Sequence, residues 1–308
     1  MPEIRSLRPR APIDPARAGC EQVPSTRKSG LAPGREIRYT GCRVADEDYK
    51  ARFGGIARLY GQAGLARLRS ARVAVIGLGG VGSWAVEALA RSGVGSLTLV
   101  DLDDICITNV NRQLHALDGT IGREKAAVLA DRVRAIHPGS KVEVATEFFT
   151  SSSAERILAP GFDWVVDAID QLGNKCLLIA ECRRRNLRLV VSGGAGGRRD
   201  PTAIRIQDLA QTSHDPLLAQ VRSKLRKEHR FSADPAASYG IPCVYTRELP
   251  VFPAPDGTIC AVRPADRPPG ESPRLACDSG LGAATFVTGA FGFASASVVV
   301  QALAEDFR

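Results

Sequence analysis

A short apolar run at residues 72 to 76, Arg-Val-Ala-Val-Ile, leads directly into Gly77-Leu-Gly79-Gly80-Val-Gly82, and apolar residues at helical spacing follow at Val81, Trp84, Ala85, Ala88 and Leu89. Strand, glycine turn and helix in this order constrain the chain more than any other feature. The G-x-G-x-x-G spacing turns the backbone sharply, lets it approach a phosphate and aims the helix N-terminus at negative charge. Gly77, Gly79 and Gly82 fill those three positions. Roughly 20 residues further on, Asp101 ends a second apolar run, where a carboxylate can accept hydrogen bonds from ribose hydroxyls. A packing turn without a ligand is the alternative reading of the same glycines.

The rest of the first two thirds repeats the alternation. Strands are predicted at residues 97–100, 141–145, 163–169 and 187–191, with helices at about 126–136, 151–158 and 173–185 between them. This order predicts an α/β fold, a Rossmann-like doubly wound and mostly parallel sheet. Beyond Gly193 the pattern becomes mixed: short strands near Ile204 and Val244, a basic helix over 216–230, and a Pro-rich stretch over 250–273. The predicted organisation is a basic leader at 1–45, a nucleotide-binding core at 46–195, and an extension at 196–308 that completes the sheet and offers a dimer or RNA surface.

The glycine fingerprint does not separate a nicotinamide dinucleotide from ATP, since both carry ribose and diphosphate. The residues beyond it favour ATP. Asp101-Leu-Asp103-Asp104 is succeeded by Thr108-Asn109-Val110-Asn111-Arg112-Gln113, and Lys125 stands near a helix start. An amide, a planar guanidinium and an ammonium suit a triphosphate, and a dehydrogenase has no evident need of them. Taken singly, Arg112 or Lys125 could be ordinary surface charges. Asp167 and Asp170, at the end of the third core strand, lie where ligands of open α/β sheets bind and could hold Mg²⁺ with ATP; Asp167 could instead cap the next helix.

With these motifs the chain resembles the ubiquitin-activating-enzyme-like superfamily, which includes the adenylyltransferases of molybdopterin and thiamin synthesis. Within it the chain is most similar to the tRNA threonylcarbamoyladenosine dehydratase family, through RFGGIARLYG at 52–61, GGVGSWAVEALARSG at 79–93, NRQLHAL at 111–117, SGGAGG at 192–197 and SGLGAATFVTGAFGF at 279–293. The resemblance implies ATP and Mg²⁺, with Asp101 on the ribose, Asn109 and Arg112 on phosphates, Lys125 on the triphosphate and Asp170 on the metal. It further implies that Arg58, or else Arg52, reaches ATP, often across a homodimer interface. The implied reaction adenylates the threonine carboxylate of the modified adenosine beside the anticodon. The ureido nitrogen then closes a ring with loss of AMP. Gln171 departs from the Asn that many relatives carry after the metal Asp.

Composition bears on partners. The formal charge of +8 favours a polyanion such as tRNA, although the leader, where Lys and Arg outnumber acids, contributes to it and reads as disordered. Arg183 to Arg185, and Arg222, Lys224, Arg226, Lys227 and Arg230, are candidate RNA contacts or solvated faces. The eight Cys include no CxxC pair, so neither zinc nor a disulfide framework is expected, and a thioester or persulfide role for Cys243, Cys260 or Cys277 is the minority reading. The four His lack metal-ligand spacing and read as structural or exposed. The uncharged stretch 281–304 is rich in small residues and reads as a buried helix or a subunit interface rather than a membrane span. A cytoplasmic location is expected by default, as the leader lacks a secretory apolar region. The competing functions are an adenylyltransferase that activates a sulfur-carrier protein, with other sulfur-transfer proteins as potential partners; a nicotinamide dehydrogenase; and a non-catalytic nucleotide scaffold.

Overall fold

A computed structural model of the chain describes residues 43–234, 236–254, 256–262 and 281–305. The leader lies outside them apart from the backbone of its last three positions, as does Cys277. Seven strands form one sheet: β1 (Arg72–Ile76), β2 (Ser96–Val100), β3 (Lys141–Ala145), β4 (Trp164–Asp167), β5 (Leu189–Ser192), β6 (Ile204–Asp208) and β7 (Pro242–Thr246). Their order across the sheet is β3-β2-β1-β4-β5-β7-β6, with β6 alone antiparallel to its neighbour. The expected doubly wound, mostly parallel sheet is therefore present. The mixed extension does not stand apart from it, because β7 pairs with β5 and β6 adds the outer edge.

Helices cover both faces, which is why β1, β4 and β5 read as unbroken apolar runs. Val73, Val75, Leu97 and Leu99 pack with α2 (Gly82–Arg91), α3 (Lys125–Ile136) and α7 (Thr285–Ala304). Ala74, Ile76 and Val100 face the other way, toward α4 (Ala154–Leu158), α5 (Leu172–Arg184) and α6 (Pro216–Glu228). Alternation along each strand thus feeds two separate cores. A buried carboxylate joins two helices of the first core: Glu87 of α2 accepts from Arg132 of α3 at 2.6 and 2.9 Å and from Arg91 at 2.7 Å.

One feature departed from the sequence pattern, and one expected helix has a notable seat. A long helix, α1 (Arg43–Ser70), precedes β1 and is interrupted at Gly61, whose φ of 74° lies in the left-handed region. The uncharged stretch near the C-terminus forms α7, long and apolar enough to cross a membrane by length and composition, but docked against α2 and α1. It approaches α2 closely because Gly292 leaves no side chain in the way; a Cβ there would lie 2.6 Å from the Val81 carbonyl and 2.7 Å from the Trp84 Cβ. Gly289, one turn earlier, has only ordinary contacts with the Trp84 ring, the nearest at 3.7 Å.

The two glycines should therefore respond differently to alanine. Gly292→Ala is expected to destabilise by about 1–3 kcal/mol through overpacking, whereas Gly289→Ala should be neutral or slightly stabilising. Urea midpoints of the two variants measure this, and equal midpoints would contradict the close α2–α7 contact.

Candidate nucleotide-binding site

The sheet order reverses between β1 and β4, and an open crevice at the carboxyl ends of such strands is where ligands of this architecture bind. The three glycines meet different demands there. Gly77 has φ of 88°, and a Cβ on it would press the Ala168 carbonyl at 2.8 Å. At Gly82 a Cβ would sit 1.8 Å from the Gly77 oxygen, so only glycine lets α2 start against the turn. Gly79 faces open space, with the Gln113 amide nitrogen 3.9 Å from the position of its absent Cβ. That opening admits a phosphate.

Asp101 holds the loop from the end of β2. Its Oδ2 accepts the Leu78 N–H at 2.6 Å and its Oδ1 accepts the Asp103 N–H at 2.9 Å. Burial raises its carboxyl above the usual range, with the Lys125 charge and the two backbone donors opposing the rise. Each oxygen retains a lone pair for a ribose hydroxyl. Lys125, the first residue of α3, is itself buried and donates to Asp103 Oδ2 at 2.8 Å.

The TNVNRQ segment supplies the opposite wall. Asn109 is buried, and its Oδ1 accepts the Cys106 N–H at 3.1 Å, which closes a short turn and leaves Nδ2 as the donor. The backbone of Arg112 is fixed by the Trp84 indole at 3.1 Å and by the Thr288 hydroxyl at 3.4 Å. Its side chain crosses Gly80, and one terminal nitrogen donates to Thr108 O and Asn111 Oδ1, both at 2.9 Å. Gln113 Oε1 and both ring nitrogens of His115 are buried without a hydrogen-bond partner among the described residues; His115 is thus the structural histidine its spacing allowed, and Gln113 is the group the sequence did not single out. Gln113 directly follows the recognisable Arg, and that adjacency was the available signal.

After β4, Asp167 and Asp170 part company. Asp167 is fully buried with Lys175 of α5, Oδ2 to Nζ 2.9 Å, and is not available to a metal. Burial raises its carboxyl while Lys175 pulls the other way. Nor does it cap α5, since the Gln171 side chain accepts the Asn174 N–H at 2.6 Å and does so instead. Lys175 also donates to the Ile169 carbonyl at 2.8 Å, and the Ile169 N–H returns to Asp167 at 3.0 Å, so the pair fixes the turn that presents the exposed Asp170. Among the described residues no group of three or more His, Cys, Asp or Glu could hold a metal alone. One exposed carboxylate beside a phosphate site does suit Mg²⁺ delivered with a nucleotide, since that ion keeps few protein ligands.

Arg58, Arg52 and the cysteines have other surroundings. Arg58 on α1 lies over Gly54 and Gly55 and, among the described residues, makes no contact with the glycine loop, Arg112 or Lys125. Arg52 is engaged by Asp48 at 2.7 Å and by the Ile136 carbonyl at 3.4 Å, beside the end of α3. Cys243 is buried and its thiol is pushed far up by desolvation, which removes it as a nucleophile; Cys260 lies in the separate β8–β9 hairpin (β8 Phe252–Pro253, β9 Ile259–Cys260).

The chain matches the ThiF family over residues 54–305. It is 45% identical over 254 residues to the tRNA threonylcarbamoyladenosine dehydratase of Escherichia coli, covering 82% of this chain and 94% of that one. To the protein of the same name from Haemophilus influenzae it is 47% identical, covering 83% and 95%. A crystal structure of the E. coli dehydratase in complex with ATP superposes with a TM-score of 0.73 at 41% identity, covering 83% of this chain and 95% of that one.

His115 gives the site a pH signature. Burial, helped by the Lys125 charge, pushes its imidazole down to about 4, from 6.5 in an unfolded chain. The unfolded state therefore takes up the proton first, and stability should fall as pH drops from 6.5 toward 4, by up to about 3 kcal/mol. Urea titrations of the wild type and His115→Asn across this window should show a flatter pH dependence in the variant. Parallel curves would mean the buried imidazole is not responsible.

Proposed function

The chain belongs to the ThiF family, and from that premise we propose that it is an ATP-dependent tRNA threonylcarbamoyladenosine dehydratase. What supports this reading is the open Gly79 turn held by Asp101, with Asn109, Arg112 and Lys125 as donors on the segments that follow it and Arg112 passing over Gly80, in a chain similar to dehydratases over 82–83% of its length. ATP is the co-substrate, its ribose on Asp101 and its triphosphate against the Gly79 opening and these three donors.

The chemistry stems from charge placement. An oxygen of the threonine carboxylate attacks the α-phosphorus, and pyrophosphate leaves with the negative charge that Arg112 and Lys125 stabilise as it develops. Lys125 is held by Asp103 until a triphosphate competes for it. The ureido nitrogen of the same side chain then attacks the activated carbonyl, a ring closes and AMP departs, so the nucleoside loses one water. That attack is intramolecular and gains from high effective molarity, with no covalent enzyme intermediate. Mg²⁺, when bound, would neutralise phosphate charge, and Asp170 would be its protein ligand. Acting on tRNA would place the protein in the cytoplasm.

Arg58 fits the same site in a homodimer, where it would come from the second subunit. The sulfur-carrier reading differs in substrate: it needs a flexible peptide C-terminus in place of RNA.

Purified protein with ATP and tRNA carrying threonylcarbamoyladenosine should release AMP and lower the mass of the nucleoside by one water. ATP use only with a sulfur-carrier protein would replace this reading by the adenylyltransferase. Arg112→Ala or Lys125→Ala should lower turnover about 10²–10³-fold while the protein still folds, with Lys125→Ala losing some thermal stability because the pair between buried Lys125 and Asp103 is broken. Mixing Arg58→Ala with Lys125→Ala should restore part of the activity through hybrid dimers, and no recovery after confirmed subunit exchange would exclude Arg58 acting in trans.

A further inference from the structure

The nucleotide site occupies the carboxyl edge of the sheet, whereas the basic clusters of α5 and α6 gather at the other end of the fold. Asp215, the N-cap of α6, accepts the Gly194 N–H just after β5 at 2.9 Å, which places the start of α6 at the carboxyl edge. Its last turn therefore lies about 20 Å away, at 1.5 Å per residue. α5 runs beside it from the end of β4 to the start of β5.

Both helices end in a left-handed residue that is not glycine, Asn186 at φ 59° and Arg230 at φ 56°. Asn accepts this readily, but Arg does so at a cost of about 1–2 kcal/mol. The Arg230 turn brings the Phe231 N–H back to the Leu225 carbonyl at 3.3 Å and sets its ring beneath Arg183, whose guanidinium carbon lies 4.2 Å from the ring centroid. A hollow of about 390 Å³ is lined there by Ala180, Glu181, Arg183, Arg184, His229 and Phe231, the one acid, Glu181, being paired with Arg184 and Arg185.

Charge on this flank is only partly spent. Arg184 and Arg185 pair with Glu181 and Glu155, Lys224 pairs with Glu228, and Arg226 donates to the Tyr239 hydroxyl at 2.9 Å. Arg183, Arg188, Lys227 and Arg230 are exposed and form no ion pair among the described residues. Lying flat on Phe231, the Arg183 guanidinium is pre-organised, with its outer face and donors presented to solvent.

We propose that this flank, Arg183, Arg188, Lys227 and Arg230 around the Phe231 hollow, is an anchor for the RNA backbone that grips tRNA away from the nucleotide undergoing chemistry. The inference rests on the dehydratase reading for its partner. Unpaired, spaced cations suit a polyanion, because each phosphate neutralised releases condensed counterions. A protein partner or a lipid surface fits poorly: none of the exposed large apolar side chains among the described residues lies on α5, α6 or the turn after them, and such interfaces need an apolar centre or face. A nucleotide bound at the carboxyl edge belongs to a chain whose phosphates continue past it, and this flank is where they are met.

The test uses the full-length triple variant Arg188→Gln, Lys227→Gln, Arg230→Gln, all exposed and outside the nucleotide site. Titrating tRNA at several salt concentrations should show roughly tenfold weaker binding near physiological salt and a log–log salt slope shallower by about 2–3. ATP affinity and kcat at saturating tRNA should stay at wild-type values while the KM for tRNA rises, which also shows that the variant is folded. Unchanged tRNA affinity and slope, or a wild type that binds no tRNA, would overturn the anchor. A wild type that binds tRNA through these residues but never dehydrates the nucleoside would leave the anchor standing and remove the dehydratase reading.

Discussion

The carbonyl oxygen of Gly77 stands where a side chain on residue 82 would begin, and the rest of the molecule is arranged around that approach. Because α2 starts against the end of β1, its first amides face the crevice, and Trp84, one turn in, reaches across to hold the Arg112 carbonyl. The same turn receives Gly292 of α7 on its outer side. A phosphate cradle, the wall opposite it and the seat of the C-terminal helix are thus set by one contact between two backbones, with no side chain to adjust it.

Charges near this contact divide into two kinds. Asp101, Asp167 and Lys175 are buried, and each is satisfied by backbone groups or by the other, so they act on loop geometry: Asp101 through Leu78, the Asp167–Lys175 pair through Ile169. Burying such groups is tolerable only with near-complete pairing. Arg112 keeps donors in reserve, while Lys125 has a partner, Asp103, that is itself partly exposed and so weakly held. The rigid charges shape the crevice and the less committed ones are free to meet a ligand.

The local pattern was readable where neighbours in sequence are neighbours in space. The run from Arg72 to Leu89 specified β1, the turn and α2 closely, and the spacing of Asp101, Arg112 and Lys125 put all three at one edge. Nonlocal facts were not readable. Lys175 stands eight residues beyond Asp167, in the first turn of α5, with nothing in its surroundings to announce an ion pair, and that pair takes Asp167 out of both roles its place suggested, metal ligand and helix cap. That the extension completes the sheet was legible, but that β7 joins β5 directly is a pairing no spacing encodes. In α1, Gly54, Gly55, Gly61 and Gly64 obscured a helix that is broken once, at Gly61.

α7 covers the face of α2 that is made some 200 residues earlier. During synthesis from the N-terminus the nucleotide edge can assemble while Trp84, Ala85 and their neighbours still lack a lid. Completion of the domain therefore waits on synthesis of α7, and a translation product interrupted before it leaves the α2 face as adhesive surface for chaperones or for other unfinished chains.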